Sequence, residues 1–211
     1  MRSRKALLAL PVLLLASACG GGADADTGEL SGTVLDPPFA VSATPLVDTE
    51  GEAYSLAADT DKDLTLVFFG YTHCPDICGQ VMATLAGTLS RLDGEQRDRL
   101  DVVFVTTDPA RDDEATVEKY VTAFDPSIIG VTGDLDDIVP VAASMKVAIG
   151  YFDAAGKELS PEELPRTQNY DVEHGTQVFA VDSDDDVTMF WGADVSQAQL
   201  AHDVTMLLDE G

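Results

Sequence analysis

Apolar residues recur with two different periods along this chain. Positions 64–69 (LTLVFF) and 100–106 (LDVVFVT) are near-continuous apolar runs, rich in β-branched and aromatic residues, and predict strands buried on both faces. After each run the spacing turns helical. Val81, Leu85, Leu89 and Leu92 line one face of a predicted helix over 81–92, and Val117, Tyr120, Val121 and Phe124 one face of another over 114–124. Shorter segments follow, with a strand at 128–131, a helix at 135–145 and a strand at 147–152. Runs 177–181 and 187–191 flank an acidic turn and predict a hairpin, while Ser196 is placed to cap a terminal helix through 208. Upstream, two extended runs within 41–56 bracket Asp48-Thr-Glu-Gly51, a second hairpin signal.

Strands alternating with helices and closed by a hairpin and a helix predict an α/β layered domain with a mixed sheet. That order matches a thioredoxin-like fold: a mixed central sheet flanked by helices, here with an N-terminal β-hairpin extension. Residues 20–32 (GGGADADTGELSG) have no apolar period and read as a flexible tether, so one domain is expected over 34–211. Ahead of the tether, Arg2, Arg4 and Lys5 precede an apolar run over 6–16 that is too short to span a bilayer comfortably. Ala16-Ser17-Ala18 then leads into Cys19, which resembles a bacterial lipobox with Ala16 where the pattern prefers Leu. The resemblance implies removal of residues 1–18 and a lipid on Cys19, so the domain would be exported and held at the cell membrane. The plainer alternative is an ordinary cleaved signal with an incidental cysteine.

Composition sharpens this reading. The 211 residues are 45% hydrophobic, enough for a core, yet carry 38 Asp+Glu against 12 Lys+Arg, a net charge of −26. Such a surface excludes nucleic acid as a partner and is repelled by anionic headgroups, leaving a lipid as the only membrane attachment. Loss of the basic leader would take the charge to −29. With Cys19 assigned to lipid, two of the three cysteines remain.

Those two stand in Gly70-Tyr-Thr-His-Cys74-Pro-Asp-Ile-Cys78, between a buried strand and a helix. A four-residue spacing on a helical turn puts both Cβ atoms on one face with Cα atoms roughly 6 Å apart. The pair can therefore form a disulfide or clamp a soft metal ion, and a helix N-terminus favours thiolate for either chemistry. A static bridge would close so small a loop that it would stabilise little. A structural zinc site lacks four visible strong ligands.

The segment at 70–78 resembles the copper-site signature of the Sco/SenC family, thioredoxin-fold proteins of bacterial membranes and mitochondria. Thr107-Asp-Pro-Ala-Arg111-Asp112 is similar to that family's D-P-x-R-D loop, and Tyr170-Asp-Val-Glu-His174 to its Y-x-V-D-H element. Two departures are Gly79 in place of the proline that usually follows the second cysteine, and Glu173 in place of the Asp before the histidine. A polar stretch over 153–169 is of uncertain correspondence. The resemblance implies that His174 joins Cys74 and Cys78 as a copper ligand. Two thiolates and one imidazole suit Cu(I), and Cu(II) where a fourth ligand enters. It also places the 107–112 loop near the metal loop, with Asp108 shaping its turn and Arg111 expected to pair with Asp112. His73 is read as capping a turn, Met82 as core, and His202 as solvated. The acidic run 182–186 alternates like a calcium loop but has Val187 and Ala193 where Gly and Glu are needed, so it reads as a hairpin turn.

What the resemblance implies is an extracytoplasmic metallochaperone that assists assembly of the CuA centre in subunit II of cytochrome c oxidase, itself loaded by another copper carrier. The alternatives are a thiol–disulfide oxidoreductase acting through Cys74 and Cys78 on the receiving protein's cysteines, and a redox or copper sensor. A peroxidase fits less well, because a single-cysteine arrangement is absent from the strand–helix turn.

Overall fold

The computed structural model of the chain describes residues 29–164 and 170–210; the expected leader, Cys19 and the first part of the tether lie outside them. The two continuous apolar runs form the parallel centre of the sheet. Strand β4 (Leu64–Gly70) has every residue buried and pairs in register with β5 (Leu100–Thr106), Leu64 opposite Leu100 and Gly70 opposite Thr106. Strand β6 (Ile129–Thr132) continues the parallel set. Antiparallel strands complete both sides: β9 (Val178–Asp182) and β10 (Asp186–Trp191) beyond β4, and the hairpin β2 (Leu46–Asp48) and β3 (Ala53–Tyr54) beyond β6. With β1 (Thr33–Ala40) on β10, the eight strands run β1-β10-β9-β4-β5-β6-β2-β3.

Alternate side chains of the central strands feed two apolar layers. Leu64, Leu66 and Phe68 pack with α1 (Cys78–Leu89), α3 (Glu114–Thr122) and α5 (Gln197–Glu210). Val67 and Phe69 face the other way, onto Ile138, Val141 and Ala142 of α4 (Leu135–Ser144). Helix α2 (Gly94–Asp98) has no buried residue and is held by a capping box, Asp93 accepting from the Gln96 amide and Gln96 from the Asp93 amide.

The strand expected at 147–152 is displaced to β7 (Gly150–Asp153). It leaves the main sheet and pairs with β8 (Tyr170–Glu173) as a separate two-stranded ribbon. Its place is fixed by burial of Tyr151, Tyr170 and Val172 against the helix-covered layer. The 182–186 run is the hairpin turn expected, with Asp182 accepting from the Asp184 and Asp186 amides.

Ordered contacts reach back into the segment read as tether. One carboxylate oxygen of fully buried Asp203, on α5, accepts from the Ser31 amide (2.9 Å), the Ser31 hydroxyl (2.6 Å), the Gly32 amide (3.1 Å) and the Trp191 indole (2.8 Å). Among the described residues no helix is long and apolar enough to cross a membrane.

Candidate metal centre

Topology brings three distant segments to one edge of the sheet. Because β4 and β5 are parallel and in register, the loops leaving Gly70 and Thr106 emerge side by side, and the Thr107 amide donates to the Gly70 carbonyl at 2.6 Å. Strand β9 runs against β4 with Val178 opposite Phe68, so the residues that precede β9 arrive at the same edge. The carboxyl ends of parallel strands are where open α/β sheets place their chemistry.

There, Cys74, Cys78 and His174 each offer one donor atom, all within 4.8 Å of one another. Cys78 is fully buried, whereas Cys74 and His174 are half-buried, so the cluster opens to solvent on the Cys74 side. Both thiols are free. The His174 Nδ1 lies 2.6 Å from the Gly175 carbonyl, which can only accept; Nδ1 therefore carries the ring proton. That leaves the Nε2 lone pair turned to Cys78 Sγ at 3.4 Å. The ring packs edge-on to Tyr71 (5.6 Å between centroids) and Phe68 (6.2 Å). Burial holds its pKa below the ordinary 6.5 and outweighs the Gly175 and Phe69 carbonyls, which favour protonation; the imidazole is neutral at pH 7, as a metal ligand must be.

Helix α1 begins at Cys78 with no side chain capping it from Ile77. Cys74 Sγ takes that place, accepting from the Cys78 amide at 3.5 Å. Burial works to raise the Cys74 thiol, but the Cys78 thiol and the amides of Cys78, Asp76 and Ile77 outweigh it and hold its pKa below 9.0. Cys78 is pushed far the other way, first by burial and then by the hydrogen bond it gives Cys74.

Sequence reading left the surroundings incomplete. Gly70 ends β4 where an added Cβ would meet Phe68 at 2.9 Å, Phe104 at 3.0 Å and Cys78 Sγ at 3.1 Å, so only glycine lets that thiol lie against the strand. Its signal was a glycine closing an apolar run. Arg111 does not pair with Asp112. Adjacent side chains diverge on a tight turn, and the guanidinium instead reaches back three residues to Asp108. Asp112, fully buried, accepts from the Thr72 amide (2.8 Å), the Thr72 hydroxyl (2.6 Å) and the Thr106 hydroxyl (2.7 Å). Asp108, also fully buried, accepts from the Tyr170 hydroxyl. His73, with 57% of its side chain exposed, lies 3.0 Å from the Thr72 hydroxyl and outside the cluster, and Met82 is core. His202 is half-buried rather than solvated.

A family model described as SCO1/SenC matches residues 36–209. The human "Protein SCO2 homolog, mitochondrial" is 31% identical over 160 residues, covering 75% of this chain and 56% of the relative. An Arabidopsis thaliana "Protein SCO1 homolog 1, mitochondrial" is 32% identical over 170 residues, covering 75% and 45%. The chain thus spans about half the length of these curated relatives. Among solved structures, apo Sco1 from Thermus thermophilus superposes with a TM-score of 0.71 at 27% identity, covering 85% of this chain and 97% of that one. Bradyrhizobium japonicum ScoI with copper bound gives 0.64 at 27%, covering 81% and 97%.

Proposed function

This chain belongs to the SCO1/SenC family, and from that premise we propose that it is an extracytoplasmic copper carrier whose ligands are Cys74, Cys78 and His174. The observation that carries the reading is the convergence of two thiols and an imidazole lone pair within 4.8 Å. That donor set suits Cu(I), whose preference is for soft thiolate in low coordination. The solved relative from Bradyrhizobium japonicum holds copper. Copper is cargo here. A three-coordinate site open at Cys74 lets an incoming thiolate displace one ligand at a time, as transfer to the CuA centre of oxidase subunit II would require. Cys19 would carry the lipid that keeps the domain on the outer side of the cell membrane.

Titration of the reduced domain with Cu(I) tests the ligand set. Wild type is expected to bind one equivalent, Cys74→Ala to lose it, and His174→Ala to hold it more weakly, by about 10-fold or more, on the two thiolates that remain; wild-type affinity retained in both variants would overturn the assignment. Incubating two equivalents of the Cu(I)-loaded protein with copper-free subunit II domain, then adding a one-electron oxidant, should build the optical spectrum of the mixed-valence dinuclear centre. A thiol–disulfide reductase is the second reading, favoured by one observation. An accessible low-pKa thiol beside a buried high-pKa thiol is the asymmetry of an attacking and a resolving cysteine. Reductase activity that survives His174→Ala would separate that role from copper binding.

A further inference from the structure

The loop between β5 and α3 supplies no member of the Cys–Cys–His cluster, yet it grips both halves of it. Asp112 holds the cysteine side, through the Thr72 amide and hydroxyl two residues before Cys74. Asp108 holds the histidine side. Its carboxylate accepts from the Tyr170 hydroxyl and from Arg111, whose guanidinium lies 3.8 Å from the Tyr170 ring centroid and donates to the Tyr170 carbonyl at 3.3 Å. Tyr170 opens β8, and β8 runs straight into His174. A third strut, from the Tyr151 hydroxyl to the Thr107 carbonyl at 2.6 Å, secures β7, the strand paired with β8. An isolated two-stranded ribbon has little stability of its own. The position of His174 is therefore set from outside the ribbon.

We propose that Asp108 is a positioning residue for His174, its side chain acting through Tyr170 and the β7–β8 ribbon, while the side chain of Asp112, joined to Asp108 through the Thr106 hydroxyl and the loop backbone, positions the cysteine loop. The inference rests on the copper-binding reading for one of its two tests only.

The first test is a double-mutant cycle in Cu(I) affinity, measured by competition with a chromophoric chelator. Removing groups that orient a metal ligand commonly weakens binding by about 10-fold or more, and Asp108→Asn should do so where His174 is present. In the His174→Ala background the same change should cost less than about 2-fold, because nothing remains to be positioned. Equal losses in both backgrounds, or no loss with His174 present, would overturn the proposal. Tyr170→Phe deletes one hydroxyl, leaves the Asp108–Arg111 pair, and should weaken binding in the same His174-dependent way even if Asp108→Asn folds poorly.

The second test needs no copper. In the metal-free protein, Asp108→Asn and Tyr170→Phe should shift or broaden the His174 imidazole resonances and leave the Thr72 and Cys78 amides in place. Asp112→Asn should do the reverse. His174 resonances unmoved by either ribbon variant would sink the inference, whereas a wild type that binds no copper sinks the copper reading and leaves this test standing.

Discussion

Cys74 and Cys78 sit one helical turn apart and meet opposite surroundings. Cys74 collects the amides that open α1; Cys78 lies under Gly70 with no exposure and its thiol donates a hydrogen bond to a sulfur or a nitrogen. The four-residue spacing was enough to bring the thiols together and to expect a helix terminus beside them. It could not divide them, because burial depends on a strand contacted through Gly70. The consequence is chemical. A thiol held below its ordinary 9.0 is more ionised at any pH beneath that value, and one held far above stays protonated throughout the neutral range. The reduced, metal-free protein treated with iodoacetamide near neutral pH should alkylate Cys74 faster than Cys78 by about 10-fold or more, since the thiolate is the nucleophile. Peptide mass spectrometry at early times reads the ratio, and equal rates would contradict the asymmetry.

Among the elements, α1 carries a weakness that the family pattern flagged. Gly79 follows Cys78 at the start of the helix, its backbone φ is not in the left-handed region, and an added Cβ would meet nothing within 4 Å. Glycine there spends backbone entropy without a steric reason. Gly79→Ala should raise stability by about 0.5–1 kcal/mol and leave copper stoichiometry unchanged; a thermal melt that falls instead would contradict the prediction. The elements legible in the sequence were those with long apolar periods, β4, β5, α1 and α3. Those missed were short or locally contradictory. Strand β1 contains Asp36-Pro37-Pro38, residues that disfavour strands and are tolerated only at a sheet edge, which is where it lies. Helix α2 has five residues and a capping box in place of an apolar face, and β8 alternates buried and exposed over only four.

For the whole molecule, the acid excess and the fold meet in three side chains. Of the 38 acidic residues, those buried among the described residues are Asp108, Asp112 and Asp203. Each ties its own segment to one far away in sequence: to Tyr170, to Thr72, and to Ser31. Composition could not single them out, because a buried carboxylate is recognised by its donors and the donors arrive only with topology. The same holds for the convergence of residues 70–78, 106–112 and 174–177 on one edge, which the parallel β4–β5 register dictates. Asp203 also decides where the chain can safely be cut. The composition of residues 20–32 invites a soluble fragment that starts after them. A fragment beginning at Thr33 would keep β1 yet lose three of the four donors to a buried charge. Hydrogen bonds to charged groups contribute about 1.5–3 kcal/mol each, and because water admitted by the cut replaces most of the three lost donors, a net loss of about 2–3 kcal/mol is expected. Relative to a fragment beginning at Glu29, that truncation should melt roughly 5–10 °C lower with its copper stoichiometry intact.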